Sequence, residues 1–245
     1  MRQTRLYIEG GCTSGAEISL DAERTRYLGR VLRLRAGDTV RVFDGSGSEF
    51  QATLSSIGKS GAVLTLGEAS HPVRESSLKI HLVQGVSRGE RMDFVMQKAT
   101  ELGVKRITPV LTEHGVVKLD AKRAEKRRAH WQKVAASASE QCGRVRLPLV
   151  DAPTPLKTWF GQPPPSVDTE LILKPGAECS LSDIRTPVTK VCVLVGPEGG
   201  FSESEYEDAA IVGFQPVSLG PRVLRTETAA VAALALLQSR WGDLG

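Results

Sequence analysis

The sequence predicts an α/β domain with a mainly parallel sheet over residues 78–245, preceded by a small barrel-like β domain over residues 1–70. Three observations carry this expectation. Up to about residue 70 the apolar residues fall in short, mostly alternating runs, the period of half-buried strands. From residue 78 onward, about six apolar runs alternate with helical stretches, a rhythm that builds parallel sheets. Between them lies Ser70 to Ser77, polar and carrying Pro72, which reads as an interdomain link.

In the first domain the predicted strands are Leu6 to Ile8, Ala16 to Leu20, Thr39 to Phe43, Phe50 to Leu54 and Ala62 to Leu66. Asp44-Gly-Ser-Gly supplies the turn between the third and fourth. One helix interrupts them, with Asp21 as N-cap and Tyr27, Leu28, Val31 and Leu32 as its buried side. Gly58-Lys59-Ser60 imitates the end of a phosphate loop, but Thr53 stands where the first glycine is needed, so the match is spurious.

The second domain opens with a strand from Leu78 to Gln84. Ser87-Arg-Gly-Glu90 has the pattern of a capping box. The helix after it shows Met92, Val95, Met96, Ala99 and Leu102 on one face and stops at Gly103; such a stripe reads as core. Arg106 to Leu111 is the next strand. A helix from about Asp120 to Cys142 buries Ala124, Trp131, Val134, Ala135, Ala138 and Cys142, leaving its lysines and arginines outside. Val145 to Val150 is a strand, and the proline-rich stretch 151–170 a loop with at most one short helix. A strand from Leu171 follows. Ser202-Glu-Ser-Glu205 is a second capping box, and its helix runs to Gly213. The last helix holds nine consecutive apolar residues, Ala229 to Leu237, and a helix apolar all round needs cover on every side, as a subunit interface gives.

The candidate site lies near the C-terminus. An apolar strand ending at Val195 gives way to Gly196-Pro-Glu-Gly-Gly200, and a second strand leads to Leu219-Gly-Pro-Arg-Val-Leu-Arg-Thr-Glu-Thr-Ala229. Two strand-to-loop switches, both bearing glycine, place one ligand pocket at the carboxyl ends of adjacent strands. Glycine there lets main chain approach a ligand where a side chain would collide.

Composition narrows the function classes. At 40% apolar and 24% charged residues the chain has the profile of a soluble globular protein. No apolar run approaches the roughly 20 residues of a membrane span, and Met1-Arg-Gln-Thr-Arg lacks a signal-peptide core. Cys12, Cys142, Cys179 and Cys192 are scattered without ligand spacing, so no metal site is expected, and a cytoplasmic, reduced protein is the default. Net charge is +4, but its distribution is uneven. Six arginines stand against one acid from Arg24 to Arg41, and seven lysines and arginines against two acids from Lys118 to Lys133. Such clusters fit a phosphate backbone or are plain solvated surface.

These motifs together resemble the SPOUT methyltransferases and, within them, the RNA-uracil N3 methyltransferases of the ribosomal small subunit, the methyltransferase E family. Arg30-Val-Leu-Arg33, Phe43-Asp-Gly, Gln97-Lys-Ala-Thr-Glu-Leu-Gly-Val104 and Glu140-Gln-Cys-Gly-Arg144 extend the likeness along the chain. The resemblance implies a PUA-like barrel for RNA and a methyltransferase domain tied in a trefoil knot, a rare exception to chain topology. It further implies S-adenosylmethionine as donor, a homodimer, and a uridine of 16S ribosomal RNA as target, in the small ribosomal subunit.

The chemistry of the residues agrees. The cofactor's adenosine and sulfonium carry no phosphate, so neither a Walker loop nor a Gly-x-Gly-x-x-Gly fingerprint is called for. Main chain at Leu194, Val195, Gly196, Pro197, Glu198, Gly199 and Gly200, and at Leu219, Gly220 and Leu224, can bind adenine and ribose. Thr226 borders the second loop, and the resemblance adds Leu173 and Pro175 as a third wall. Arg225 is the candidate electrostatic stabiliser of a uracil anion, with Glu227 as its orienting partner or as base. Glu198 is an alternative base or a loop cap, and Glu140 a weaker candidate. Arg30, Arg33, Lys126, Arg127 and Arg144 are the candidate RNA contacts. His71, His81, His114 and His130 read as ordinary histidines. Two other classes stay open on residues alone: a nicotinamide enzyme, against which the missing fingerprint counts, and a non-catalytic RNA-binding factor.

Overall fold

The computed structural model describes residues 4–59, 61–162, 166–184 and 187–245. Ser60 of the spurious phosphate-loop match, and residues 163–165 of the proline-rich stretch, lie outside them. The chain divides into two compact units: the residues up to Glu75 with Ser139–Leu147, and Ser76–Ala138 with Pro148–Gly245.

The first unit is a five-stranded sheet of β1 (Arg5–Tyr7), β2 (Glu17–Leu20), β3 (Thr39–Phe43), β4 (Glu49–Gly58) and β5 (Gly61–Ser70), in the order β1-β3-β4-β5-β2. β1 runs parallel to β3 and the other pairs are antiparallel. Alternate residues, among them Val40, Val42, Ala52, Leu54, Leu64 and Leu66, close one core. Asp44 shapes its turn by accepting from the Ser46 N–H at 2.9 Å and, through its other oxygen, from the Cys12 N–H. Asp21 caps α1 (Ala22–Arg26), accepting from the Arg24 N–H at 2.7 Å. The helix then widens to a π turn over Tyr27–Val31, which rotates its apolar stripe. Leu28 alone is fully buried there; Tyr27 and Val31 face outward, against expectation.

Segment 139–147 carries a larger difference, for it belongs with this first unit. Arg5 donates to the Ser139 and Arg144 carbonyls, and the Tyr7 N–H donates to Glu140 at 2.8 Å. Arg144 is buried and paired with Glu75 at 2.8 Å. It is therefore a structural residue and not the RNA contact expected; removing one partner of such a pair costs about 3–5 kcal/mol. Glu140 is likewise engaged with β1, its Oε1 accepting from the Tyr7 N–H.

The second unit is a parallel sheet of seven strands. In chain order they are β6 (Lys79–Gly85), β7 (Arg106–Leu111), β8 (Leu149–Val150), β9 (Thr154–Pro155), β10 (Thr169–Leu173), β11 (Lys190–Val195) and β12 (Gln215–Val217). Their spatial order is β12-β10-β11-β6-β7-β8, with β9 also on β7. β8 is shorter than the expected 145–150 because Val145 accepts from the Gly47 N–H and Arg146 bridges Ser46, both in the turn between β3 and β4. The helices are α2 (Arg91–Glu101), α3 (Ala121–Cys142), α4 (Leu156–Phe160), α5 (Glu203–Ile211) and α6 (Thr226–Trp241). Strand alternation serves two cores: Val191, Val193 and Val195 join Met92, Met96, Ala230 and Leu234 on one face. Cys192 and Leu194 join Trp159, Phe201 and Phe214 on the other.

Local signals held unevenly. Ser202 and Glu205 form the expected capping box on α5. Ser87 and Glu90 do not: α2 starts at Arg91 with Glu90 in the cap position and no side-chain cap. Its stop at Gly103 (φ +77°) is as expected, with the Val104 N–H reaching back to the Ala99 carbonyl. On α6, Ala230, Ala233, Leu234 and Leu237 are buried against the sheet, while Leu236 stays half exposed.

Candidate active site

β10, β11 and β12 lie side by side and end at the same edge, so the segments leaving them meet. Between them is a cavity of about 450 Å³, inside the roughly 300–1,000 Å³ span of small-molecule sites. Leu173 and Pro175 form one wall, Val195 to Glu198 with Gly200 and Phe201 the floor, and Leu219 to Glu227 the opposite wall.

The floor is held tightly. Pro197 sits against Gly85 so closely that a Cβ on Gly85 would lie 2.4 Å from Pro197 Cδ. The Gly200 N–H donates to the Pro197 carbonyl at 3.0 Å, turning the loop with Gly200 at φ +69°. Thr226 Oγ1 donates to the Gly196 carbonyl at 2.6 Å and accepts from Gln84 Nε2 at 3.0 Å. That pair of bonds interlocks the two loops with β6. Behind Leu173, the Lys174 ammonium lies over the Tyr206 ring at 4.3 Å and pairs with Glu203 at 3.3 Å.

Most of the expected cofactor residues line the cavity, with two exceptions. Leu194 lies beneath it with its side chain in the core. Gly199 faces away, because a Cβ there would stand 2.7 Å from the His114 carbonyl oxygen; its glycine serves loop packing.

The charged rim differs from expectation. Glu198 accepts from the Arg88 N–H at 3.0 Å and pairs directly with the Arg91 guanidinium. Although partial burial pushes its carboxyl upward, hydrogen bonds from its own main chain, Arg88 and Arg91 hold it below the usual range. Glu227 approaches Arg91, not Arg225, at 3.8 Å, and its Oε2 is buried without a hydrogen-bond partner. The expected Arg225–Glu227 pair is therefore absent among the described residues. Arg225 instead caps the approach to α6 in extended conformation, exposed, with its guanidinium unpartnered among the described residues. Arg91, Lys174, Phe201 and Tyr206 escaped the sequence reading. Only the apolar run after Leu171 hinted at that wall, and nothing local marks Arg91.

A second cavity, of about 500 Å³, opens at the amino edge among His81, Arg106, Glu170 and the Trp159, Phe160 and Phe214 rings. His81 bonds Thr108 at 2.7 Å, and burial lowers its pKa to about 4. Arg106 pairs with Asp151 at 2.7 Å. Among the described residues no group of acids, histidines and cysteines could hold a metal, and no helix is long and apolar enough to cross a membrane.

Known proteins similar to this chain agree with the geometry. The RNA methyltransferase domain family matches residues 74–238, and the RNA methyltransferase PUA domain family residues 20–67. A ribosomal RNA small subunit methyltransferase E of Buchnera aphidicola is 33% identical over 99% of this chain and 98% of its own. Its Bacillus subtilis counterpart is 31% identical over 89% and 88%. Among solved structures, a putative methyltransferase of Legionella pneumophila in complex with S-adenosylmethionine is 39% identical, with a TM-score of 0.94 over both whole chains. A ribosomal RNA small subunit methyltransferase E from Neisseria gonorrhoeae, bound to the same cofactor, is also 39% identical, with a TM-score of 0.91 over both whole chains.

Proposed function

The chain belongs to the ribosomal RNA small subunit methyltransferase E family, and from that we propose that it methylates N3 of one uridine in 16S ribosomal RNA with S-adenosylmethionine as donor. The observation that carries this is one cavity bounded by both glycine-bearing loops, with a free guanidinium and a carboxylate on its rim.

The cavity suits the donor. Leu173, Val195, Leu219 and Leu224 offer apolar walls to adenine, and main chain at Gly196, Pro197, Glu198, Gly200 and Gly220 offers polar edges to ribose. When bound, S-adenosylmethionine supplies a methyl group on a cationic sulfur, which keeps the bonding electrons as its nitrogen partner gains the methyl. The chain's own tasks are to hold the uracil and manage one proton. Uracil N3 bears a hydrogen, and its lone pair attacks well only once that proton leaves. Arg225, unpartnered at the rim, stabilises the charge that then develops on O2 or O4. Glu227 accepts the proton, because it lines the cavity and takes no direct hydrogen bond among the described residues, whereas Glu198 Oε1 already accepts from Arg88 and Arg91.

RNA recognition falls to the basic clusters, Arg30 and Arg33 on the first unit and Lys126 and Arg127 on the second, all exposed. A second copy of the chain covers the outer side of α6, where Val231, Ala232, Ala235 and Leu236 are incompletely buried. The substrate places the protein in the cytoplasm.

The direct test is to compare modified nucleosides in 16S ribosomal RNA from cells with and without the protein. Loss of one 3-methyluridine is expected; an unchanged N3 pattern, or loss of a methyl at another atom, overturns the assignment. For the clusters, removing the charges of both Arg30 and Arg33, or of both Lys126 and Arg127, should weaken RNA binding and flatten its salt dependence. Each lost phosphate contact removes about 0.7–0.9 from the log–log slope. Unchanged slopes in both would make them plain solvated surface.

A further inference from the structure

Arg91 stands between the two acids of the cavity and has no part in the chemistry set out above. It is the first residue of α2, and its guanidinium reaches across the rim to two separate segments. Nη1 pairs with Glu198 in the loop after β11, and Nε lies 3.8 Å from Glu227 in the first turn of α6. The two contacts are unequal. The first is a direct hydrogen bond, reinforced by the Arg88 N–H on the same oxygen. The second is too long for a hydrogen bond but close enough for strong charge attraction.

We infer that Arg91 is a positioning residue that divides the labour of the two carboxylates, bonding Glu198 as an anchor while approaching Glu227 without a hydrogen bond, which leaves Glu227 as the acceptor of the uracil proton. This rests on the methyltransferase reading of the cavity and deepens it. Two carboxylates on one rim repel one another, and one of them would ordinarily keep a proton. A guanidinium shared between them removes that repulsion, while bonding only one leaves the other's lone pairs free. Glu227 gains further from the N-terminus of α6, where aligned N–H groups favour negative charge. The remaining charged groups around it are Glu198 from the β11 loop, Lys174 after β10, and Arg222 and Arg225 before α6. Lys174 pairs with Glu203 and Arg225 is assigned to the substrate, and Arg91 is the cation with a contact to both acids among the described residues.

The test uses the full-length protein and four forms: wild type, Arg91→Gln, Arg91→Lys and Glu227→Gln. Cofactor affinity is measured by calorimetry and single-turnover methylation of small-subunit RNA from pH 4.5 to 9. Removing a positive charge raises a carboxylate pKa, so Arg91→Gln should shift the acidic limb of the rate profile upward by about one unit or more. Its plateau rate should fall about 10-fold or more, with cofactor affinity changed less than about threefold. Arg91→Lys keeps the charge and should restore the limb to its wild-type place, which a merely structural loss could not do. Glu227→Gln should abolish that limb. If Arg91→Gln leaves the limb unmoved while Glu227→Gln abolishes it, the role of Arg91 is overturned and Glu227 stands. If Glu227→Gln keeps both rate and limb, the base assignment itself fails. No methyl transfer by the wild type, with RNA and cofactor bound, would sink the enzymatic reading instead.

Discussion

The loops after β11 and β12 look alike in sequence, each an apolar strand opening into glycine and charge, yet their structures differ in kind. The first is backed at every turn. Gly196 lies against the Phe201 ring, Pro197 against Gly85, and Gly199 against the His114 carbonyl. The second is largely unsupported: Gly220 has φ +96° and open space around it, and Val223 is 81% exposed. One jaw of the cavity is thus formed before any ligand arrives, and the other is free to settle onto it. In the first loop Gly196 and Gly199 permit close packing and Gly200 a left-handed turn, whereas in the second Gly220 serves a left-handed turn alone. A ligand bound between them gains from the fixed jaw without reordering it, while immobilising the loose jaw costs about 0.5–1.5 kcal/mol for each long side chain.

The severest way to break this contrast is to unseat the fixed jaw from behind. In Gly85→Ala the new Cβ would stand 2.4 Å from Pro197 Cδ and 2.5 Å from its nitrogen, so main chain must move. We expect a loss of about 3 kcal/mol, the upper part of the usual overpacking range, read as a lower denaturant midpoint. Cofactor affinity should collapse with it. A variant as stable as wild type would mean that the β11 loop is no more anchored than its neighbour.

On the loose jaw the largest effect should be kinetic. Arg225→Ala removes a guanidinium with no partner among the described residues, so stability should hold. Single-turnover methylation should fall roughly 100-fold, the scale for losing one preorganised donor. If forming the uracil anion limits the rate, wild-type turnover should also rise with pH above neutrality. A near-normal rate in Arg225→Ala would move the charge stabilisation elsewhere in the cavity.

How far the site could be read from sequence follows the same division between local and distant causes. Apolar runs ending in glycine were enough to place both loops, and Ser202 to Glu205 caps its helix because both partners lie within one turn. The same pattern at Ser87 and Glu90 misled, since α2 begins only at Arg91, and the Arg88 N–H and the Arg91 side chain serve Glu198 instead. Arg91 and Glu198 are 107 positions apart, and no local pattern reports such a pair. The π turn after α1 shifted Tyr27 and Val31 outward by inserting one residue's worth of rotation, which a 3.6-residue period cannot foresee. Segment 139–147 joins the first unit through Arg5, Tyr7 and Glu75, contacts that exist only after folding.

A paired substitution sharpens the comparison at smaller cost. Gly199→Ala sets a Cβ 2.7 Å from the His114 carbonyl oxygen, but that loop is exposed and can yield, so a loss of about 1 kcal/mol is expected. Gly220→Ala meets no atom, and its cost of about 1–2 kcal/mol arises from a non-glycine residue at positive φ. The two variants should therefore diverge when His114 is also replaced by Gly. Greater loop freedom relieves Gly199→Ala and leaves Gly220→Ala unchanged. Equal responses would show that both glycines serve backbone conformation alone.

The gentlest probe asks whether the loose jaw closes at all. Val223 is apolar, 81% exposed and part of the cavity rim, so it contributes little to the stability of the free chain. If the loop folds over the bound cofactor, its two methyl groups leave water only in the complex. Burying each is worth about 0.8 kcal/mol, and with half that area covered, Val223→Ala should weaken cofactor binding by about 0.8 kcal/mol, roughly fourfold in Kd. Thermal stability without ligand should match wild type, because no core contact is lost. The heat capacity of binding should become less negative, since less apolar surface is buried. An unchanged Kd with an unchanged heat capacity would mean that Val223 stays in water when the cofactor binds. The second jaw would then be loose without being a closing element, and the cavity walls formed by Leu219 and Leu224 would hold the ligand unaided.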